Sequence, residues 1–193
     1  MEVAETLALD VWRGFPSKVK RVITILMFFI LSVAVTATGV SAPLSKEEAS
    51  AITEEVKDMQ NYVLTVDVLR GATLIFGNNF ALCLSFFVPV VGILFGFYVL
   101  YSTGVVIAAQ SIVGGVNPHL IFLSLFIMPF SWLEFLAYST AFAENAWLTW
   151  RIIKRDWKRE LVNACILITI CAIVLLAAAF IEIAIIKALS ASS

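Results

Sequence analysis

Residues 72–113 read ATLIFGNNFALCLSFFVPVVGILFGFYVLYSTGVVIAAQSIV, 42 residues without one charged side chain. So apolar a run belongs in lipid, and it is too long for a single comfortable crossing of a hydrocarbon core about 30 Å thick. At about 1.5 Å per residue it offers about 63 Å of helix, barely two crossings. Pro89 interrupts it near the middle, so we expect a hairpin with spans at 72–88 and 90–113 and the turn at Pro89. A re-entrant segment that turns back within the membrane is the other geometry open to it.

Three further apolar runs flank the hairpin. Val22–Val40 is 19 residues long, preceded by Lys18, Lys20 and Arg21. Val40-Ser41-Ala42 also has the small residues of a signal cleavage site, but Pro43 directly after it would hinder cleavage, so a retained first span at 22–40 is expected. His119–Ala143 holds Pro129 and Glu134, and Leu161–Lys187 holds Glu182. With 61% apolar residues, 14% charged residues and a mean hydropathy of +0.98, the chain is no soluble monomer. It reads as one all-α membrane domain, a polytopic bundle of about five spans around the Gly- and Pro-containing hairpin.

Between the last two runs, Trp147–Glu160 carries Arg151, Lys154, Arg155, Lys158 and Arg159 together with Trp147, Trp150 and Trp157. Cations mark the cytoplasmic side and tryptophans the water–lipid boundary. The segment before the first span is basic too, through Arg13, Lys18, Lys20 and Arg21, so both are expected on one side. An even number of crossings must then separate them, which requires the hairpin to start and end outside. The N-terminus is accordingly expected inside the cell and the C-terminus outside.

Two water-facing segments complete the organisation. Met1–Phe15, within the basic segment 1–21, places Val3, Leu7, Val11 and Phe15 four apart and reads as a short amphipathic surface helix. Residues 41–70 carry Glu47, Glu48, Glu54, Glu55, Asp58 and Asp67, and Ser45-Lys-Glu-Glu48 has capping-box spacing, so a helix should start there. Its apolar stripe of Ala49, Ile52, Val56, Met59 and Val63 suits the membrane surface, a partner, or the chain's own spans.

Polar groups inside the spans carry whatever chemistry there is, because burying an ionisable group in lipid is costly. Glu134 is the deepest. Ser124, Ser131, Glu134, Tyr138 and Asn145 are spaced seven, three, four and seven, which puts all five on one face of one helix. That stripe reads either as a proton, cation or solute pathway or as a set of interhelical contacts with Glu134 protonated or paired to the hairpin's polar groups. Asn78 and Asn79 suit a cap, a kink or a bond to another span. Gly92 and Gly96 form Gly-x-x-x-Gly, with Gly104 further along, a strip that lets helices approach closely within the chain or between copies.

Several classes are excluded or disfavoured. A net charge of −1 offers no basic field for nucleic acid. Cys83, Cys165 and Cys171 all lie in apolar runs and suit neither a disulfide framework nor a zinc site. There is one histidine, His119, beside Asn117-Pro118 at an expected helix start, and no Walker loop, no His-Glu-x-x-His and no Gly-x-Ser-x-Gly. We therefore expect no enzyme, no cofactor and no metal.

The order of an outer amphipathic helix, Phe76-Gly-Asn78-Asn79, a hydrophobic hairpin with Gly92, Gly96 and Gly104, and Trp132-Leu133-Glu134-Phe135-Leu136-Ala137 resembles the stage II sporulation protein M family, most clearly over 71–145. Where that family commonly has His-Gly before its Glu motif, this chain has Phe130-Ser131, so no embedded histidine carries over. The resemblance implies a small helical membrane protein that assembles with others, as family members do when they hold partner hydrolases during engulfment. Relatives also occur where no spore is made. The expected function is thus a non-enzymatic scaffold or subunit of a membrane complex, homo-oligomeric or with other subunits. A small channel or transporter using the Glu134 stripe is the rival, and recognition of anionic membrane lipid by Arg151, Lys154, Arg155, Lys158 and Arg159 is a third possibility.

Overall fold

The computed structural model describes residues 14–190. Among them lie seven helices and no strand: α1 (Ser17–Val40), α2 (Lys46–Thr65), α3 (Val68–Phe86), α4 (Val91–Val113), α5 (Pro118–Leu125), α6 (Pro129–Ile153) and α7 (Lys158–Ser190). Four of them, α1, α3, α4 and α7, are long and apolar enough to cross a membrane, and α5 with α6 makes a fifth span if the bent pair is taken as one. The surface agrees: Leu26, Met27 and Ile30 on α1, Leu94 and Tyr98 on α4, and Ile166, Ile170 and Ile173 on α7 are all exposed. Apolar faces of that extent are stable against lipid and not against water. The amphipathic helix expected over Met1–Phe15 lies almost wholly outside the described residues.

The expected hairpin is present, with helix starting earlier than the apolar run does. Asp67 accepts the backbone N–H of Arg70 at 3.0 Å, and this cap sets the start of α3 at Val68 although Arg70 falls in its first turn. The Arg70 guanidinium lies 5.6 Å over the Tyr62 ring. Phe87–Val90 makes the turn. Val90 adopts φ 67° and ψ −62°, and the Val91 N–H donates to the Pro89 carbonyl at 2.8 Å, which closes a three-residue γ-turn. A β-branched residue at positive φ is strained and persists only where its surroundings hold it.

The third apolar run is not one helix. The chain breaks between Leu125 and Pro129, and α5 and α6 meet at 82°. Pro129 takes the first position of α6, where its missing N–H costs nothing. Met128 before it is extended, as a residue preceding proline prefers. The Trp132 indole N–H donates to the Phe126 carbonyl at 2.9 Å and bridges the break. Ser124 therefore sits on α5 and bonds its own Ile121 carbonyl, off the face shared by the α6 residues. At its other end α6 runs on to Ile153, so the basic stretch 147–160 is mostly helical, with a connection of only Lys154–Trp157. Asn117 caps α5 through His119 N–H at 2.9 Å, as its place before Pro118 suggested.

Small residues set the helix approaches. Gly104 of α4 meets Gly39 of α1, where an added Cβ would fall 2.8 Å from Val40 N and 2.9 Å from Gly39 Cα. Gly96 makes room for the Phe142 ring, which stacks on Phe86 at 4.9 Å and sits 5.3 Å from Phe97. Around them Cys83, Leu100, Ala137, Tyr138, Cys171 and Leu175 complete a buried core. The glycine strip is thus consumed inside the chain, and Gly92, Gly96 and Gly104 present no free face to a second copy. All three cysteines are free thiols.

Helix α2 carries the capping box expected of it. The Ser45 hydroxyl accepts Glu48 N–H at 3.2 Å while the Glu48 carboxylate accepts Ser45 N–H at 2.8 Å. That hydrogen bond from the Ser45 backbone holds the Glu48 carboxyl below its ordinary range. The helix lies against α4 and α3, the chain's own spans, with Ala49 and Thr53 buried. Glu47, Glu54, Glu55 and Asp58 remain exposed on the opposite face.

Candidate functional site

Three spans and α2 border an open cavity of about 780 Å3 lined by Val56, Tyr62 and Val63 of α2, Leu74, Ile75, Asn78 and Asn79 of α3, Glu134 of α6, and Glu182 and Ile186 of α7. Its polarity comes from two carboxylates and two carboxamides in otherwise apolar walls. Asn79 donates its Nδ2–H to Glu134 Oε1 at 2.6 Å, and Asn78 donates to Asn79 Oδ1 at 3.3 Å. The short chain of donors thus runs from exposed Asn78 inward to the half-buried acid. Glu182 comes from the far end of α7, which packs between α3 and α6. Two carboxyl groups lining one cavity with apolar walls can hold a proton, a cation or a hydrogen-bond donor.

Of the residues singled out in the sequence, the structure brings Glu134, Asn78 and Asn79 together, 55 residues apart along the chain for the bonded pair. Ser131 and Tyr138 are buried one turn to either side of Glu134 but do not line the cavity. Tyr138 instead meets Phe86 edge to face at 5.3 Å in the core. Asn145 has a different task, about 16 Å further along α6. Its Nδ2 donates to the Phe86 carbonyl at 2.8 Å and to the Val88 carbonyl, and its Oδ1 accepts Val90 N–H at 3.1 Å. Thr149 Oγ1 accepts the same N–H at 3.2 Å. Asn145 is the clamp that holds the strained hairpin turn, and it takes no part in the cavity.

Glu182 is the cavity acid that linear reading undervalued. It stands near the end of the Leu161–Lys187 run, and the run does not show which way α7 turns. A second cluster was missed altogether. At the opposite end of the bundle Arg21 of α1 forks between Glu144 of α6, Nη1 to Oε2 at 2.6 Å, and Glu160 of α7, bonded through Nη2. Glu144 and Glu160 are 1% and 3% exposed, and Glu144 Oε1 has no partner. Arg151 approaches Glu160 at 3.7 Å and bonds Asp156 at 3.1 Å, and the Arg21 guanidinium lies 5.4 Å over Trp147. The signal was present: an arginine at the mouth of one span and an acid one residue beyond another both need partners. Because Arg21 and Arg151 reach the same carboxylate, the two basic segments lie at one end of the bundle.

Lys154, Arg155, Lys158 and Arg159 are all exposed at that end. Among the described residues no group of three or more His, Cys, Asp or Glu side chains is arranged to hold a metal ion. No family model, curated protein or solved structure matches the chain.

Proposed function

We propose that this chain is a non-enzymatic, multi-pass membrane protein that takes a proton or a small cationic, hydrogen-bonding solute into the cavity between α2, α3, α6 and α7, as a small channel or transporter does. The observation that carries this reading is the convergence of Glu134, Glu182, Asn78 and Asn79 from three spans on one cavity. Ionisable groups at membrane depth face protein or water and mark solute paths. Helix α2 forms one wall of the cavity through Val56, Tyr62 and Val63. The exposed cations at the Arg21 and Arg151 end support a cytoplasmic placement of that end, with the C-terminus outside.

The test is flux into proteoliposomes, read with an internal pH dye for protons and with radioactive sodium for a monovalent cation. Glu134→Gln and Glu182→Gln should each lower the flux at least about tenfold while the protein stays folded. Flux no greater than that of protein-free vesicles, or flux in both variants equal to the parent's, would overturn the reading.

A second reading, a scaffold or subunit of a membrane complex as the resemblance to stage II sporulation protein M implies, is favoured by one observation. The acidic face of α2, with Glu47, Glu54, Glu55 and Asp58, points away from the bundle and is open to a basic partner. Here Glu134 and Asn79 only tie α6 to α3. Native mass spectrometry after gentle extraction discriminates: a defined hetero-oligomer lost on reversing the α2 charges supports the scaffold, and a lone monomer counts against it.

A further inference from the structure

At the Arg21 end, a crevice of about 360 Å3 opens between α4 and α6, lined by Val90, Leu94, Ala146, Trp150 and Ile153 among others, with almost wholly apolar walls. Leu94, Trp150 and Ile153 are 70%, 55% and 68% exposed, so the crevice faces the surroundings of the bundle and not its core. Its rim is charged. Lys154 follows Ile153 directly, and its ammonium lies 4.9 Å over the Trp150 ring that forms one wall. Arg155 comes next, at φ 57°, an unusual backbone for arginine, and Lys158 and Arg159 open α7.

The acids nearby do not pair with these four cations. Arg21 and Arg151 are taken up by Glu144, Asp156 and Glu160. Lys154, Arg155, Lys158 and Arg159 form no ion pair among the described residues and stay exposed. A membrane-facing apolar slot with unbalanced cations at its rim complements one kind of molecule. We infer that the crevice seats an acyl chain of a single anionic phospholipid, whose phosphate is held by Lys154 and Arg155 at the rim. A uniform basic surface would attract anionic lipid loosely; the slot beneath the Trp150 edge adds a shaped apolar seat and makes the attraction a site.

The test is native mass spectrometry of the full chain in detergent, titrated with dioleoyl phosphatidylglycerol or dioleoyl phosphatidylcholine. The parent should retain one phosphatidylglycerol in preference to phosphatidylcholine. Lys154→Gln with Arg155→Gln should weaken phosphatidylglycerol retention roughly thirtyfold, as two surface charges imply, and leave phosphatidylcholine unchanged. Ala146→Phe, which fills the crevice, should abolish retention of both lipids with the cations intact. Leu94→Ser, at an exposed wall position, should weaken both and serves should Ala146→Phe fail to fold. Equal retention of the two lipids by the parent would overturn the inference. So would loss in the charge variant with no change in either crevice variant, since that result describes diffuse attraction to the basic surface alone.

Discussion

Replacing Arg21 by alanine tests the charge cluster most directly. The arginine is 26% exposed, but the carboxylates it bridges are nearly inaccessible, and Glu144 Oε1 has no hydrogen-bond partner among the described residues. Glu160 would keep Arg151 at 3.7 Å, so the variant strands one buried carboxylate and not two. Breaking a buried pair by removing one member costs about 3 to 5 kcal/mol, or a hundredfold to a few thousandfold in the folded population. Against a total stability of about 5 to 15 kcal/mol the loss is large. Unfolding in mixed micelles by graded addition of sodium dodecyl sulfate, followed by tryptophan fluorescence, measures it. The companion variant Arg21→Ala with Glu144→Ala removes the stranded group and should recover most of the loss, which gives a coupling well outside additivity. A cost of Arg21→Ala below about 1 kcal/mol, the level of a solvated surface pair, or a double variant as unstable as the sum of the singles, would refute the assignment.

Two other outcomes follow from the packing and the cap. Gly104→Leu should prevent α1 from seating on α4, because its Cβ already collides with the Val40 and Gly39 backbone; we expect a loss of at least about 1 to 3 kcal/mol in the same unfolding assay, whereas Gly77→Ala, with open space around it, should change little. Because the folded Glu48 carboxyl is depressed by the Ser45 N–H, its contribution is complete above the ordinary glutamate range and fades as pH falls through the depressed value. Hydrogen exchange in the first turn of α2, corrected for intrinsic rates, should therefore rise on acidification, and Glu48→Gln should flatten that dependence; an equal pH response in both proteins would count against the box.

The legible part of this molecule was what lipid imposes along the chain. A hydrocarbon layer demands runs of about 20 apolar residues, and these stand out in any window, so α1, the α3–α4 hairpin and α7 were readable, as was the Ser45–Glu48 cap. What lipid does not impose is azimuth. In an all-apolar helix such as α7 nothing in the sequence says which face meets α3 and α6, so Glu182 could not be joined to Glu134 before the packing was known. The break before Pro129 escaped because proline is equally at home at a helix start and the apolar character continues through it. Gly104 and Asn145 were recognised as special residues, but their partners, Gly39 and the Phe87–Val90 turn, lie more than 50 residues away in sequence and are chosen by the bundle.

The contacts of α1 impose a schedule on how the chain is made. Among the described spans it is the first to be made, yet its arginine waits for acids 123 and 139 residues later, and its Gly39 notch waits for α4. At roughly 5 to 20 residues per second, the wait for those acids is on the order of 6 to 28 seconds. Throughout, Arg21 must stay among the phosphates at the bilayer edge, the one place where an unpaired guanidinium is at ease. Among the described helices α1 is therefore made early and locked late, its arginine fully paired only when α7 supplies Glu160.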